Sequence, residues 1–68
     1  MKSREVIAKR RIEVLKLTSR GYLRKEIADQ LCYEEATIKR DRTAMVEQLG
    51  AKNICHAIVL GIKCGIIE

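Results

Sequence analysis

The sequence predicts a small all-α domain of four helices, the second and third of which form a helix-turn-helix. Three observations carry this. No proline and only four glycines interrupt 68 residues, so helices separated by brief turns are the expected arrangement. No stretch alternates apolar and polar residues with period two for long enough to make a strand. Between Arg24 and Leu49, two apolar sets at helical spacing, Ile27–Ala28–Leu31 and Ile38–Met45–Leu49, are joined by a break too short for any other arrangement.

The first helix is predicted over about 3–20, with Ser3 as N-cap. Ile7, Val14, Leu15 and Thr18 recur along it at helical spacing, and Gly21, just after Arg20, is its stop. The second, over about 24–31, is short, and Ala28 is small enough for another helix to cross it closely. Tyr33 is expected to sit in the connection as a hydrophobic plug. The third helix, over about 35–49, opens beside Glu34 and Glu35, whose charge suits the positive end of a helix dipole, and closes at Gly50. Asn53 is a good N-cap for a fourth over about 53–64, with Gly65 as its stop. Connections of two to four residues make a single domain over residues 1–68.

A chain of 68 residues buries one modest core, which fits a binding module better than an enzyme with a cleft. A net charge of +5, from 14 Lys and Arg against 9 Asp and Glu, favours a polyanionic partner. The whole excess lies in residues 1–20, where Lys2, Arg4, Lys9, Arg10, Arg11, Lys16 and Arg20 face only Glu5 and Glu13. Cys32, Cys55 and Cys64 are an odd set with no close pair, which argues against a disulfide framework and for reduced thiols in a cytoplasmic protein. The most apolar stretch, Ala57 to Ile67, is interrupted by Lys63 and falls short of the roughly 20 residues of a membrane span. No export signal is expected, since the first residues hold no apolar core flanked by a cleavage site. His56 beside Cys55 makes no metal-ligand set, and no cofactor is expected. Glu13, Glu26, Asp29 and Asp41 accompany no nucleophile, so they are read as salt-bridging groups on helix surfaces.

Several stretches also match a known pattern. Glu13, Val14, Leu15, Leu17 and Gly21 fit R-E-x-E-V-L-x-L with a glycine four residues on. Lys25, Glu26, Ile27, Ala28 and Leu31 fit K-E-I-A-x-x-L, and Thr37, Ile38 and Lys39 fit T-V-K. Leu49, Gly50 and Asn53, then Ala57, Ile58, Gly65, Ile66 and Ile67, continue the register without a gap. In these positions the chain, over about residues 10–67, resembles the LuxR-type (FixJ- or GerE-type) DNA-binding domain of bacterial transcription regulators. It departs from that pattern at Leu23, where a capping Ser or Thr is usual, and at Glu34, in place of a capping Ser. Asp41 and Arg42 replace a frequent His and aliphatic pair. Arg42 falls about 40° from the Ile38 direction, so its stem is expected to pack at the core edge while its head snorkels to water.

The helical wheel puts Ala36, Lys39, Arg40, Thr43 and Glu47 opposite Ile38, Met45 and Leu49, where a helix laid in the major groove must carry its readers. Lys39 and Arg40 lead: Arg can grip guanine O6 and N7, Thr43 can touch a base or a thymine methyl, and Ala36 permits close approach. Thr37, at the helix start, suits a phosphate. Arg24 and Lys25 open the second helix, where side chains and free N–H groups can meet a phosphate or simply serve solubility. The basic first helix either clamps the DNA backbone or ties helices together by pairing Arg10 or Arg11 with Glu26 or Asp29, and Arg10 is read as structural. In the fourth helix Ile54, Ala57, Ile58, Gly61 and Ile62 are expected to turn inward. The opposite face, His56, Val59, Leu60 and Lys63, would then be a homodimer interface of the kind the resemblance implies; scattered surface apolars are the competing reading.

The expected function is sequence-specific binding of double-stranded DNA by a small transcriptional regulator. The alternative is a protein-interaction module of the same fold docking on RNA polymerase or another regulator. RNA is disfavoured, since the chain has no Phe or Trp and two Tyr on which bases could stack. No receiver or ligand-binding domain is expected.

Overall fold

The computed structural model describes residues 2–68, with side chains from Arg4 onward. Its elements are α1 (Lys2–Ser19), α2 (Arg24–Leu31), α3 (Glu35–Gln48) and α4 (Ile54–Lys63). Every helix lies within a residue or so of its predicted bounds, and no strand occurs among the described residues. Ser3 stands inside the first turn of α1, not ahead of it as an N-cap, and its side chain lies outside the described set.

The helix ends show how this sequence manages without ideal caps. Leu23 has no side-chain acceptor, so α2 opens on half a capping box: the Glu26 carboxylate accepts from the Leu23 N–H at 2.8 Å. Glu34 offers no side-chain bond to α3, and its carbonyl takes the first helical N–H groups. Asn53 does cap α4, its Oδ1 accepting from the His56 N–H at 2.8 Å. Between α2 and α3, Cys32 takes the left-handed conformation, φ 62°, and the Tyr33 N–H reaches back to the Ala28 carbonyl at 3.0 Å. This Schellman-type closure turns the chain sharply enough for α3 to cross α2.

The core has two parts. Val14, Leu17, Ile27, Ala28 and Ile38 pack α1, α2 and α3 together, with Leu31 alongside. Leu15, Met45, Ala57 and Ile67 form the second part, bordered by Val46, Leu49, Ile54 and Ile58. Adjacent residues of α1, Val14 and Leu15, thus serve different clusters and make α1 the common wall. A Cβ on Gly61 would lie 3.1 Å from Leu15 Cδ2 and 3.3 Å from Ile67 Cγ1, so the bare backbone lets α4 approach α1 and lets the last residues fold over it.

Two expectations are corrected. Ile62 is 49% exposed, not inward. The inward direction of α4 is set by the buried Ala57 and Gly61, and Ile62 lies about 140° around the helix from Ala57. Tyr33 is 39% exposed and is no core plug; its ring instead lies under the Arg10 guanidinium, 4.8 Å from centroid to Cζ. No helix among the described residues is long and apolar enough to cross a membrane.

Candidate nucleic-acid interface

The setting of α3 depends on a charged group inside the protein. Ile38 and Met45 are buried as expected, and Asp41 joins them at 1% exposure. Arg10 Nε and Nη2 donate to the two Asp41 oxygens at 2.5 and 2.9 Å, a bidentate grip between α1 and α3. Arg11 Nε stands 3.6 Å from the same carboxylate. The expectation that Arg10 ties helices together therefore holds, but its partner is Asp41 and not Glu26 or Asp29. Asp41 in turn is a buried anchor, not a surface carboxylate. It lies about 60° from Ile38, on the edge of α3 that α1 covers. The Arg10 guanidinium is held protonated above its ordinary range, chiefly by the hydrogen bond to Asp41, against an opposing effect of burial. Such pairs contribute little net stability compared with apolar packing but are costly to break from one side, so the fork acts as a rotational lock.

With that side locked, the opposite face of α3 is presented to solvent. Ala36, Lys39, Arg40, Thr43 and Glu47 are all exposed, and Thr37 is half-buried at the helix start. Thr43 Oγ1 donates to the Lys39 carbonyl at 3.1 Å, so its hydroxyl hydrogen is taken by its own helix. Any contact it makes to a base uses its methyl group or its oxygen lone pairs.

Two shallow grooves flank this face. One, about 520 Å³, runs between α1 and α3 and is lined by Arg11, Ala36, Arg40 and Glu47 among others. The second, about 290 Å³, is bordered by Arg24, Lys39, Arg42, Val46 and Ile54. Arg42 is half-buried there beside apolar side chains, which matches the snorkelling expected of it. Arg24 reaches across the turn to Glu35 at 3.7 Å, an exposed and therefore weak ion pair, and Lys25 is exposed. The structure thus gathers Arg24, Lys39, Arg40, Thr43 and Ala36 on one side of the molecule. It adds Arg11 from α1.

On α4 the exposed stripe is Cys55, Val59, Ile62 and Lys63, continued by Ile66. His56 and Leu60, expected at its centre, are half-buried. His56 Nδ1 accepts from the Lys52 N–H at 3.0 Å, which ties its ring to the turn before the helix. Ala57 and Gly61 are buried as expected, and the direction they set leaves Ile62 outside and draws His56 and Leu60 partly in. The three cysteines are free and exposed. Among the described residues no three His, Cys, Asp or Glu side chains gather as a metal site.

Comparison with known proteins adds a family. The model of the bacterial regulatory proteins, luxR family, matches residues 5–60. Among curated proteins, the oxygen regulatory protein NreC of Staphylococcus aureus strains JH9, JH1 and Mu3 is in each case 30% identical over 64 residues. The alignment covers 94% of this chain and 30% of each relative, so the chain spans less than a third of their length. No solved structure matches it.

Proposed function

The chain belongs to the luxR family of bacterial regulatory proteins, and from that premise we propose that it binds double-stranded DNA with sequence preference by laying α3 in the major groove. One observation carries the reading: a cationic face, Lys39 and Arg40 with small Ala36 and Thr43, stands exposed on a helix whose other side is fixed by Ile38, Asp41 and Met45. Rigid presentation matters because a reader displaced by even about 1 Å loses its base contact. Arg40 reads guanine through two hydrogen bonds, Lys39 supplies a second donor, and Thr43 offers its methyl. Arg24, Lys25 and Thr37 hold phosphates and set the register. The reading assigns binding and not catalysis, in the cytoplasm, with transcription as the process controlled.

A single module of this size covers little DNA, so control through paired half-sites follows. The stripe of α4 centred on Val59 and Ile62, flanked by Cys55 and Lys63, supports pairing of two copies about a two-fold axis, with half-sites about one helical turn, ~34 Å, apart.

Selection from a random duplex pool tests the reading, followed by titration of Lys39→Ala and Arg40→Ala on the selected site. Both variants should keep the helical circular dichroism of the parent. A base reader should lose about 1–3 kcal/mol and relax preference at one position, whereas a phosphate contact weakens all sequences alike. Unchanged affinity in both removes α3 as the docking face.

A further inference from the structure

We infer that Arg11 of α1 is a DNA-phosphate contact at the edge of the groove read by α3, a role that rests on the proposed duplex binding. Asp41 is the only carboxylate that reaches Arg10 and Arg11 among the described residues, and Arg10 takes both its oxygens in hydrogen bonds while Arg11 shares its charge only as a longer ion pair. One negative charge therefore faces two guanidiniums, and the cluster keeps a net positive charge. Arg11 is the member left over. Its Nε is buried and has no hydrogen-bond partner among the described residues, standing 3.6 Å from an oxygen that Arg10 occupies.

The side chain as a whole remains 34% exposed, so its charge is not hidden with its Nε. Where it opens to solvent it lines the same groove as Ala36 and Arg40 of α3. Glu47, which borders that groove, makes no ion pair with it among the described residues. A guanidinium held at one end, sharing a single carboxylate with Arg10 and placed beside a groove-reading helix, suits an oxygen anion carried by the duplex backbone. Because Arg11 comes from α1 and not from α3, it would track the backbone outside the base pairs that α3 reads. It therefore adds affinity and sets the helix angle without choosing sequence.

The test is a salt titration of the whole chain with Arg11→Gln and Arg11→Lys on a selected duplex and on a random one, by fluorescence anisotropy. Arg11→Gln should lose roughly five- to tenfold in affinity near 0.15 M salt on both duplexes, and the slope of log K against log salt should flatten by about one. Arg11→Lys should restore most of the slope, since a phosphate needs only a positive charge. The urea midpoint of Arg11→Gln should stay at the parent value, which separates the role from a structural one. Parent affinity and slope in Arg11→Gln, in a background where Arg40→Ala still weakens binding, would overturn the inference and leave the duplex reading standing. A loss confined to one base position would overturn it too, by making Arg11 a reader. A parent protein that shows no salt-dependent duplex binding would remove both.

Discussion

Helices α3 and α4 press against the same core with opposite chemistry. The third buries a carboxylate and exposes cations; the fourth buries Ala57 and Gly61 and exposes Val59 and Ile62. A fork of two hydrogen bonds fixes rotation about the α3 axis, because turning the helix moves Asp41 off both donors at once. A missing side chain fixes only distance: Gly61 lets α4 come close to Leu15 but imposes no direction. The helix with the directional anchor is the one whose outward face must be aimed, and the helix with the contact anchor is the one whose outward face is merely apolar.

The largest test of that contrast is Arg10→Met, which leaves the Asp41 carboxylate buried with only Arg11, 3.6 Å away, beside it. A cost of about 3 kcal/mol is expected in urea unfolding followed by circular dichroism, at the lower end for a one-sided break because Arg11 can move closer. A cost under about 1 kcal/mol would mean that packing, and not the fork, holds α3. The charge state of Arg10 adds no switch near neutrality. A base whose folded pKa is raised contributes its stability at every pH below its ordinary value and loses it only on rising through the folded one, and for an arginine that window lies in strong alkali.

Next in size is Gly61→Val, for which about 1–3 kcal/mol is expected from overpacking against Leu15 and Ile67. Gly61→Ala sharpens the point. Its Cβ meets two side-chain ends that can yield by a few tenths of an ångström, and a gain in helix propensity of about 1 kcal/mol offsets the squeeze. Near-neutral Ala with costly Val identifies a distance constraint; equal penalties would point instead to a backbone requirement. The smallest stability effect belongs to Val59→Asp, within about 0.5 kcal/mol for the isolated domain because the side chain is 47% exposed. Cooperative binding to a two-site duplex should nevertheless disappear, since like charges would meet across the two-fold axis. Sedimentation of the parent with a palindromic duplex decides whether there was cooperativity to lose: one protein per duplex at saturation ends the dimer.

The four helices and the outward side of α3 were legible because both rest on local periodicity, and Ile27, Ile38 and Met45 fall where the pattern puts them. The burial of Asp41 was not. A wheel drawn from Ile38 gives one inward direction, but α3 is covered on two sides, and its partner on the second side is an arginine 31 residues earlier in the chain. Nothing local tells Asp41, about 60° to one side, from Arg42, about 40° to the other. Ile62 failed for a related reason. It was grouped with Ala57 and Gly61, yet it lies about 140° around the helix from Ala57, outside the narrow side where the backbones meet. Leu23 and Glu34 were legible as weak caps, and the compensation by Glu26 could be read from its place three residues beyond Leu23.

The span of the Arg10–Asp41 bond also separates what builds the helix pair from what aims it. The left-handed turn at Cys32 joins α2 to α3 within a few residues, whereas the bond that sets the heading of α3 reaches 31 residues back along the chain to α1. The pair of helices is built locally but aimed from afar, so a change in α1 can swing the bearing of α3 without touching the turn that makes the pair.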